Sequence, residues 1–198
     1  MEPVVFDTVV VLTVAVCAVL SYGLGAKAIL DGRYQPSVYS RGIWMLFAFN
    51  NLVSVLVLQN SAPVLILAGL GGFGNLVIFV LSLSRSVRRF GSTEIVTTVL
   101  LVISLLVWAV TRLPILNLSI GIVAHFFGGI PTLKKVIDDP AGEDTLFWFF
   151  FFFASALALL RVNWSDAGSY LYPLYFTVFD GIMTVLCLRR IGAKRSAA

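Results

Sequence analysis

The chain has 198 residues, of which 59% are hydrophobic and only 12% are charged, with a net charge of +4 and a mean hydropathy of +0.97. Because a soluble domain carries roughly 25% charged residues, this composition excludes a soluble globular enzyme, a disordered chain and a nucleic-acid binder that reads DNA through a basic face. A membrane-spanning helix needs about 20 residues, so a single membrane domain over residues 1–198 could cross the bilayer seven times.

Seven apolar stretches follow one another along the chain, separated by charged residues and by Gly and Pro. They cover residues 6–30, 37–58, 63–83, 93–111, 115–137, 145–162 and 170–188. Helix is the expected structure for each, because lipid cannot hydrogen-bond the free edges of strands. The sixth is the shortest, and Arg161 at its end could extend its side chain to the headgroups. The sequence therefore predicts an all-α polytopic membrane protein with seven transmembrane helices.

The basic residues predict the orientation of these helices. If the N-terminus is outside, only Arg112 and Arg161 of the 14 Lys and Arg residues lie in outward-facing segments. Since cytoplasmic loops are enriched in Lys and Arg, we expect an N-out, C-in protein of the cell membrane, the plasma or cytoplasmic membrane. Tryptophans near helix ends are expected in the aromatic belts. They are Trp44 and Trp148 at the inner side, and Trp108 and Trp164 at the outer side.

A weak internal repeat relates the two halves of the chain. Residues 75–85 align with residues 180–190 without gaps at an offset of 105, and Trp44 corresponds to Trp148 at an offset of 104. The pattern predicts a first three-helix repeat (residues 6–83), a linker helix (residues 93–111) and a second three-helix repeat (residues 115–190). A parallel copy of a three-helix unit needs one additional crossing, which the linker helix supplies. Parallel repeats recur among transporters, which bind substrate near the midplane between them.

This 3+1+3 arrangement resembles the SWEET sugar transporters of the PQ-loop superfamily. The local likeness is best at residues 129–137 (Gly-Ile-Pro-Thr-Leu-Lys-Lys-Val-Ile), where the family ends the first helix of a unit with a proline and a short basic loop. The resemblance implies a gating or hinge role for Pro131 and for Gly25, its nearest counterpart in the first helix. It also implies that Asn75 and, where the family has an asparagine, Asp180 line a central pocket. The implied activity is alternating-access transport or facilitation of a small polar solute, a sugar or another metabolite.

Asp180 is the only acidic residue near the middle of a predicted helix. A carboxylate there costs at least about 2.5–3.5 kcal/mol on insertion scales, and such residues usually face a cavity or pathway. A helical wheel places Thr177 on the same stripe, which suits the lining of a cavity. The alternative is a protonated Asp180 that joins two helices, for example by bonding to Asn75. An acid in place of an asparagine favours a cationic substrate or coupling to protons.

Two further polar residues in predicted helices are candidates for contact with a solute. His125, the only histidine, could relay protons or bond a substrate because its charge changes near neutral pH. Equally, it could be a packed polar residue satisfied by a neighbouring helix. Asn51 places an amide near the middle of the second helix, where lipid offers it no partner. The substrate-binding candidates are Asn75, Asp180, His125, Asn51 and Thr177.

Other features point away from catalysis and metal binding. One histidine and two separated cysteines give no zinc-ligand spacing, and no phosphate loop or metalloprotease motif is present, so we expect neither an enzyme nor a cofactor. The acidic residues at 138, 139, 143 and 144 are expected to form a solvated inner loop, with ion pairs of an inner gate as the less favoured alternative.

Two functions stay open for this sequence, because a fold does not settle a function. The first is transport of a small solute by a monomer or homo-oligomer in the lipid bilayer. The second is a non-transporting membrane receptor or assembly protein on the same fold. A solvated cavity between the repeats favours the first, and a bundle packed shut at Asn75 and Asp180 favours the second.

Overall fold

The computed structural model describes residues 3–34, 36–85, 91–140 and 143–196, and these ranges contain seven α-helices. The helices are α1 (Pro3–Leu30), α2 (Val38–Val57), α3 (Ala62–Arg85), α4 (Ser92–Thr111), α5 (Pro114–Asp138), α6 (Thr145–Ala158) and α7 (Ala167–Ser196). A 3-10 turn, Leu159–Arg161, follows α6 directly. No β-strand occurs in the described ranges. The prediction of an all-α chain with seven helices is confirmed.

Six of the helices are long and apolar enough to cross a bilayer. The exception is α6, which with its 3-10 turn covers Thr145–Arg161 and is apolar but shorter. Helices suit this environment because each satisfies its backbone hydrogen bonds within itself. These are the features of an integral, multi-pass membrane protein.

Local sequence signals explain where several helices begin and end. The Ser37 hydroxyl caps α2 by accepting a hydrogen bond from the backbone N–H of Ser40, as polar residues do at helix N-termini. The Asp144 carboxylate caps α6 by accepting from two backbone N–H groups of the first turn. Arg112 ends α4 in the left-handed conformation with φ 57°, and Pro114 begins α5, where its missing N–H costs nothing.

Six helices form a closed ring, and α4 lies outside it. Around the ring, α1 packs against α3, α3 against α2, α2 against α5, α5 against α7, α7 against α6, and α6 against α1. The α4 helix packs mainly against α5 and also touches α2. Among its described side chains, the buried ones are Thr97, Leu101 and Ser104. Their spacing of four and three places them on one narrow face, so most of α4 is left for lipid.

The two ends of the ring differ in packing. At the end where α1, α3, α5 and α7 begin, which we name the closed end, the largest hydrophobic cluster fills the interior. It includes Val14, Val55, Leu67, Leu118, Ala154 and Tyr172, one from each helix of the ring. At the opposite end, where α2, α4 and α6 begin, the interior contains cavities. We name this end the vestibule end.

The expected belt position of two tryptophans is wrong. Trp44 is 4% exposed and Trp148 is 3% exposed, and both point into the bundle. Trp148 packs against Phe147 and Phe179. A position near a helix end fixes the depth of a side chain in the bilayer but not the direction in which it points around the helix. At the closed end, Trp164 is 61% exposed.

Candidate functional site

A cavity of about 410 Å³ opens at the vestibule end, and we name it the vestibule. Its walls come from the segment before α2, the first turns of α2 and α4, the end of α5 and the loop after α5. Arg41 and Trp44 of α2 form part of its lining. The vestibule has the size of a typical small-molecule site.

A second, much smaller cavity lies deeper in the bundle, and we name it the central cavity. Its volume is about 20 Å³, which is room for about one water molecule. Arg41 and Trp44 line both cavities, and we name this shared wall the neck. Three of the predicted site residues line the central cavity: Asn75, His125 and Asp180. The remaining lining residues are Tyr22, Phe147, Trp148, Phe151 and Phe176.

Asn75 and Asp180 face the same cavity but are not hydrogen-bonded to each other. The Asn75 amide nitrogen donates to the Tyr22 hydroxyl at 2.9 Å and to the Gly71 carbonyl at 2.9 Å. Asp180 is 3% exposed, and its Oδ2 atom has no hydrogen-bond partner among the described residues. A buried acceptor without a partner is unfavourable. Asp180 is therefore available to a water, a proton or a donor group of a solute.

His125 is enclosed by aromatic rings at the edge of the central cavity. Its ring stacks on Trp44 with centroids 4.7 Å apart, and Phe176 and Phe179 meet it edge-on at 5.1 and 5.5 Å. Its Nδ1 atom is 2.8 Å from the Tyr175 hydroxyl. This environment matches the packed alternative stated for His125, although its ring still forms part of the cavity wall.

The other two substrate-binding candidates lie outside both cavities. Asn51 is 1% exposed and faces Gly121 of α5, and neither polar atom of its amide has a partner among the described residues. Thr177 is half-buried and donates to the Pro173 carbonyl of its own helix at 2.7 Å. Asn51 turns toward α5 instead of the cavity, and the sequence does not reveal which helix a given face meets.

The two predicted hinge residues occupy different environments. Pro131 lies inside α5 and lines the vestibule. Gly25 lies in α1 against the first turn of α6, where an added Cβ would come within 2.8 Å of a Phe147 ring carbon. Close packing therefore explains the glycine, and a hinge role for either residue stays a prediction.

Arg41 is a site residue that the sequence reasoning missed, since it entered only as a charge of the inner face. It is 3% exposed, and its guanidinium carbon lies 4.7 Å from the Trp44 ring centroid and 5.2 Å from that of Tyr34. Such cation–π contacts stabilise a guanidinium that has lost its water. The signal available in the sequence was an arginine three residues before a tryptophan, which places both on one helical face.

The acidic loop after α5 is only partly solvated, so that expectation is wrong for Glu143. Glu143 is 6% exposed, accepts from Lys135 Nζ at 3.2 Å and accepts from the Trp148 indole nitrogen at 3.4 Å. Burial raises the pKa of Glu143, and the positive charges of Lys135 and Arg41 oppose that rise. At this end Glu143 thus fixes the orientation of Trp148, which lines the central cavity.

Two ion pairs join α1 or its following loop to the ends of α6. At the vestibule end, Arg33 donates to Asp144 at 3.3 Å. At the closed end, Arg161 donates to Asp7 at 2.8 Å. Three of these four side chains are more than a third exposed, as is usual for surface pairs. They connect the two predicted repeats across the α1–α6 contact, and only the Arg33–Asp144 pair includes an acid of the inner-gate alternative.

A buried polar cluster joins α2, α4 and α5 on the other side of the ring. The Asn50 and Asn117 amides donate to each other at 3.2 and 3.1 Å, and Asn117 also donates to Ser54 at 2.7 Å. Ser104 of α4 donates to the Asn117 side-chain oxygen. The sequence reasoning did not single out Asn117 or Ser104, because one polar residue in an apolar helix does not identify its partner.

No family model, curated protein or solved structure matches this chain. The resemblance to the SWEET and PQ-loop proteins stays an expectation based on pattern.

Proposed function

We propose that the protein is a SWEET-like, PQ-loop-like transporter or facilitator of a small polar solute that works by alternating access. One observation carries the proposal: Asn75, His125 and Asp180 line one buried cavity, and Arg41 and Trp44 line both this cavity and the vestibule. Intramembrane ionisable residues that face a cavity typically mark a solute or ion pathway.

The neighbours of each helix support the 3+1+3 repeat. If α1, α2 and α3 correspond to α5, α6 and α7, then the pair α1–α3 corresponds to α5–α7, and α2–α3 corresponds to α6–α7. The contact of α1 with α6 corresponds to the contact of α5 with α2. All of these pairs are present, and α4, the helix without a counterpart, lies outside the ring. The corresponding pairs Trp44 and Trp148, and Asn75 and Asp180, all line the central cavity.

The packing also supports a crossing by α6. Tyr172 near the start of α7 and Leu118 near the start of α5 lie in one cluster with Ala158 at the end of α6. The end of α6 is therefore at the closed end, while its start lies at the vestibule end beside Lys135. Because Lys and Arg are enriched in cytoplasmic loops, the vestibule end faces the cytoplasm in this proposal.

The mechanism follows from the two ends of the ring. A solute from the vestibule passes the Arg41–Trp44 neck and reaches the polar groups of the central cavity. Since that cavity holds about one water, the two repeats must part to admit a solute. The cluster at the closed end then separates as the neck closes, and the solute leaves on the other side. The carboxylate of Asp180 favours a cationic solute or coupling to protons.

The test is uptake into proteoliposomes across a panel of sugars, amino acids and other metabolites, measured with and without a pH gradient. We expect at least one solute to be transported and Asp180→Asn to remove the dependence on the pH gradient. Thr177→Val is the matched control, since Thr177 is in the same helix but lines neither cavity, and we expect unchanged uptake.

The small volume of the central cavity favours a second candidate function, that of a non-transporting receptor or assembly protein. A folded, reconstituted protein that moves none of the panel in either direction would support this candidate. Unchanged transport with unchanged pH dependence in Asp180→Asn would instead refute the coupling.

A further inference from the structure

Arg41 carries a charge that is almost removed from water at the inner wall of the vestibule. The whole residue is only 3% exposed. None of the ion pairs between described residues includes it. The negative charge of Glu143 acts on Arg41 without contacting it. A buried charge without a directly bonded partner is unfavourable, so the guanidinium is free to pair with an anion in the cavity.

The other charged groups of the vestibule lining are already engaged. Lys135 pairs with Glu143 at 3.2 Å. Glu94 accepts from the Ser40 hydroxyl at 2.8 Å and from the Gly91 backbone at 2.9 Å. Within the described ranges, the Arg41 guanidinium is therefore the charged group of the lining that has neither a hydrogen bond nor a contact ion pair.

The geometry around Arg41 suits recognition of a ligand. The rings of Tyr34 and Trp44 hold the guanidinium by cation–π contact, which limits its motion before any ligand arrives. The hydroxyl-bearing residues Ser37 and Thr132 line the same cavity. The volume of about 410 Å³ admits a small organic molecule.

The surrounding charges select the type of anion. A guanidinium presents its donors as a planar fork that matches a carboxylate. Two acidic residues, Glu94 and Glu143, share the lining, so a multiply charged group such as a phosphate meets more repulsion than a monoanion. We propose that the vestibule is a binding site for a small solute whose carboxylate pairs with Arg41.

Asp180 does not line the vestibule, and binding there does not require transport. Binding to the vestibule can be measured on a protein that moves no solute, so failure of the proposed transport and failure of this inference are distinguishable. An anionic lipid headgroup is the competing occupant, because the vestibule opens at an end of the bundle.

The experiment measures binding to the purified full chain in uncharged detergent at constant ionic strength. The probes are butyrate, its neutral analogue butyramide and inorganic phosphate. The readouts are the melting temperature and the tryptophan fluorescence, to which Trp44 contributes from its position beside Arg41. We expect butyrate to bind saturably, butyramide to have no effect and phosphate to bind more weakly than butyrate.

The variants locate the site. We expect Arg41→Gln to weaken butyrate binding by about tenfold or more, as loss of a buried charge partner does. Arg41→Lys should also weaken it, because lysine cannot donate as a fork. Arg33→Gln is the matched control, since Arg33 lies at the same end, is 57% exposed and does not line the vestibule. The affinity of Arg33→Gln for butyrate should equal that of the unmodified protein.

Several results would overturn the inference. If Arg41→Gln binds butyrate as tightly as the unmodified protein, Arg41 does not bind the ligand. If butyrate and butyramide give equal responses, the negative charge of the carboxylate does not contribute to binding and the pairing with Arg41 is refuted. Tighter binding of phosphate than of butyrate would refute the proposal that the ligand is a carboxylate. If butyrate has no effect while phosphatidylglycerol in nanodiscs raises the melting temperature through Arg41, the occupant is a lipid and the inference is wrong. If Arg41→Gln fails to fold, the butyrate affinities of Arg41→Lys and Arg33→Gln are compared instead. Equal affinities of these two variants would refute the inference.

Discussion

The buried amide of Asn117 allows a quantitative test of how α2, α4 and α5 are held together. Its side chain takes part in four hydrogen bonds to side chains of other helices, two with Asn50, one with Ser54 and one with Ser104. Interhelical bonds of this kind in membranes average about 0.6 kcal/mol each and reach about 1.7. We therefore expect Asn117→Ala to lower the free energy of unfolding by about 2.5 kcal/mol.

The assay is equilibrium unfolding in mixed micelles, titrated with a denaturing detergent and followed by tryptophan fluorescence. Ser119→Ala is the control, because Ser119 bonds only within its own helix, to the Ile115 carbonyl at 2.8 Å. Its effect should stay within about 0.5 kcal/mol. A double-mutant cycle with Asn50→Ala should give a coupling energy of about 1 kcal/mol.

A loss below about 1 kcal/mol in Asn117→Ala, together with no coupling to Asn50, would refute this reasoning. The polar groups left behind would then have found other partners, and the four bonds would not be what holds α2, α4 and α5 together.

Two further predictions concern stability. Because burial raises the pKa of Glu143 above its ordinary value of 4.5, the folded protein binds this proton more tightly, and the stability due to this group falls as pH rises above that value. As pH rises from acidic to neutral, the melting temperature of Glu143→Gln should increase relative to that of the unmodified protein. A constant difference between the two melting temperatures would contradict this prediction. Gly74→Ala would place a Cβ 2.2 Å from the Tyr22 ring and should cost about 1–3 kcal/mol by the same detergent titration. Gly69→Ala, which meets nothing within 4 Å, should be neutral or stabilising by up to about 1 kcal/mol, and equal losses for the two would refute the packing.

The helices themselves could be predicted from the sequence. The fifth stretch was expected over residues 115–137, and α5 covers Pro114–Asp138. Long apolar runs leave the backbone in lipid no alternative to helix, and Gly, Pro and charged residues mark the ends. Of the five predicted substrate-binding residues, Asn75, His125 and Asp180 line one cavity and Asn51 and Thr177 do not. The three are rare polar groups at similar depth, which the sequence shows.

The direction in which each helix face points could not be predicted. Trp44, Trp148 and Arg41 lie near helix ends, where both the headgroups and the interior are within reach. Asn51 faces a neighbouring helix although the adjacent Asn50 belongs to the polar cluster with Asn117. A helical wheel tells which residues share a face, but only the packing of all seven helices tells what that face meets.

The short α6 has a consequence for the surrounding bilayer. Its 14 helical residues and the 3 residues of its 3-10 turn extend about 27 Å, less than the roughly 30 Å of a hydrocarbon core. Its neighbour α1 has 28 residues and reaches about 42 Å. If α6 crosses the bilayer as proposed, lipids beside the outward-facing rings of Phe149 and Phe153 must compress, whereas those beside α1 need not. The protein would then impose a thickness gradient on its membrane, and a thinner bilayer would accommodate it at lower cost.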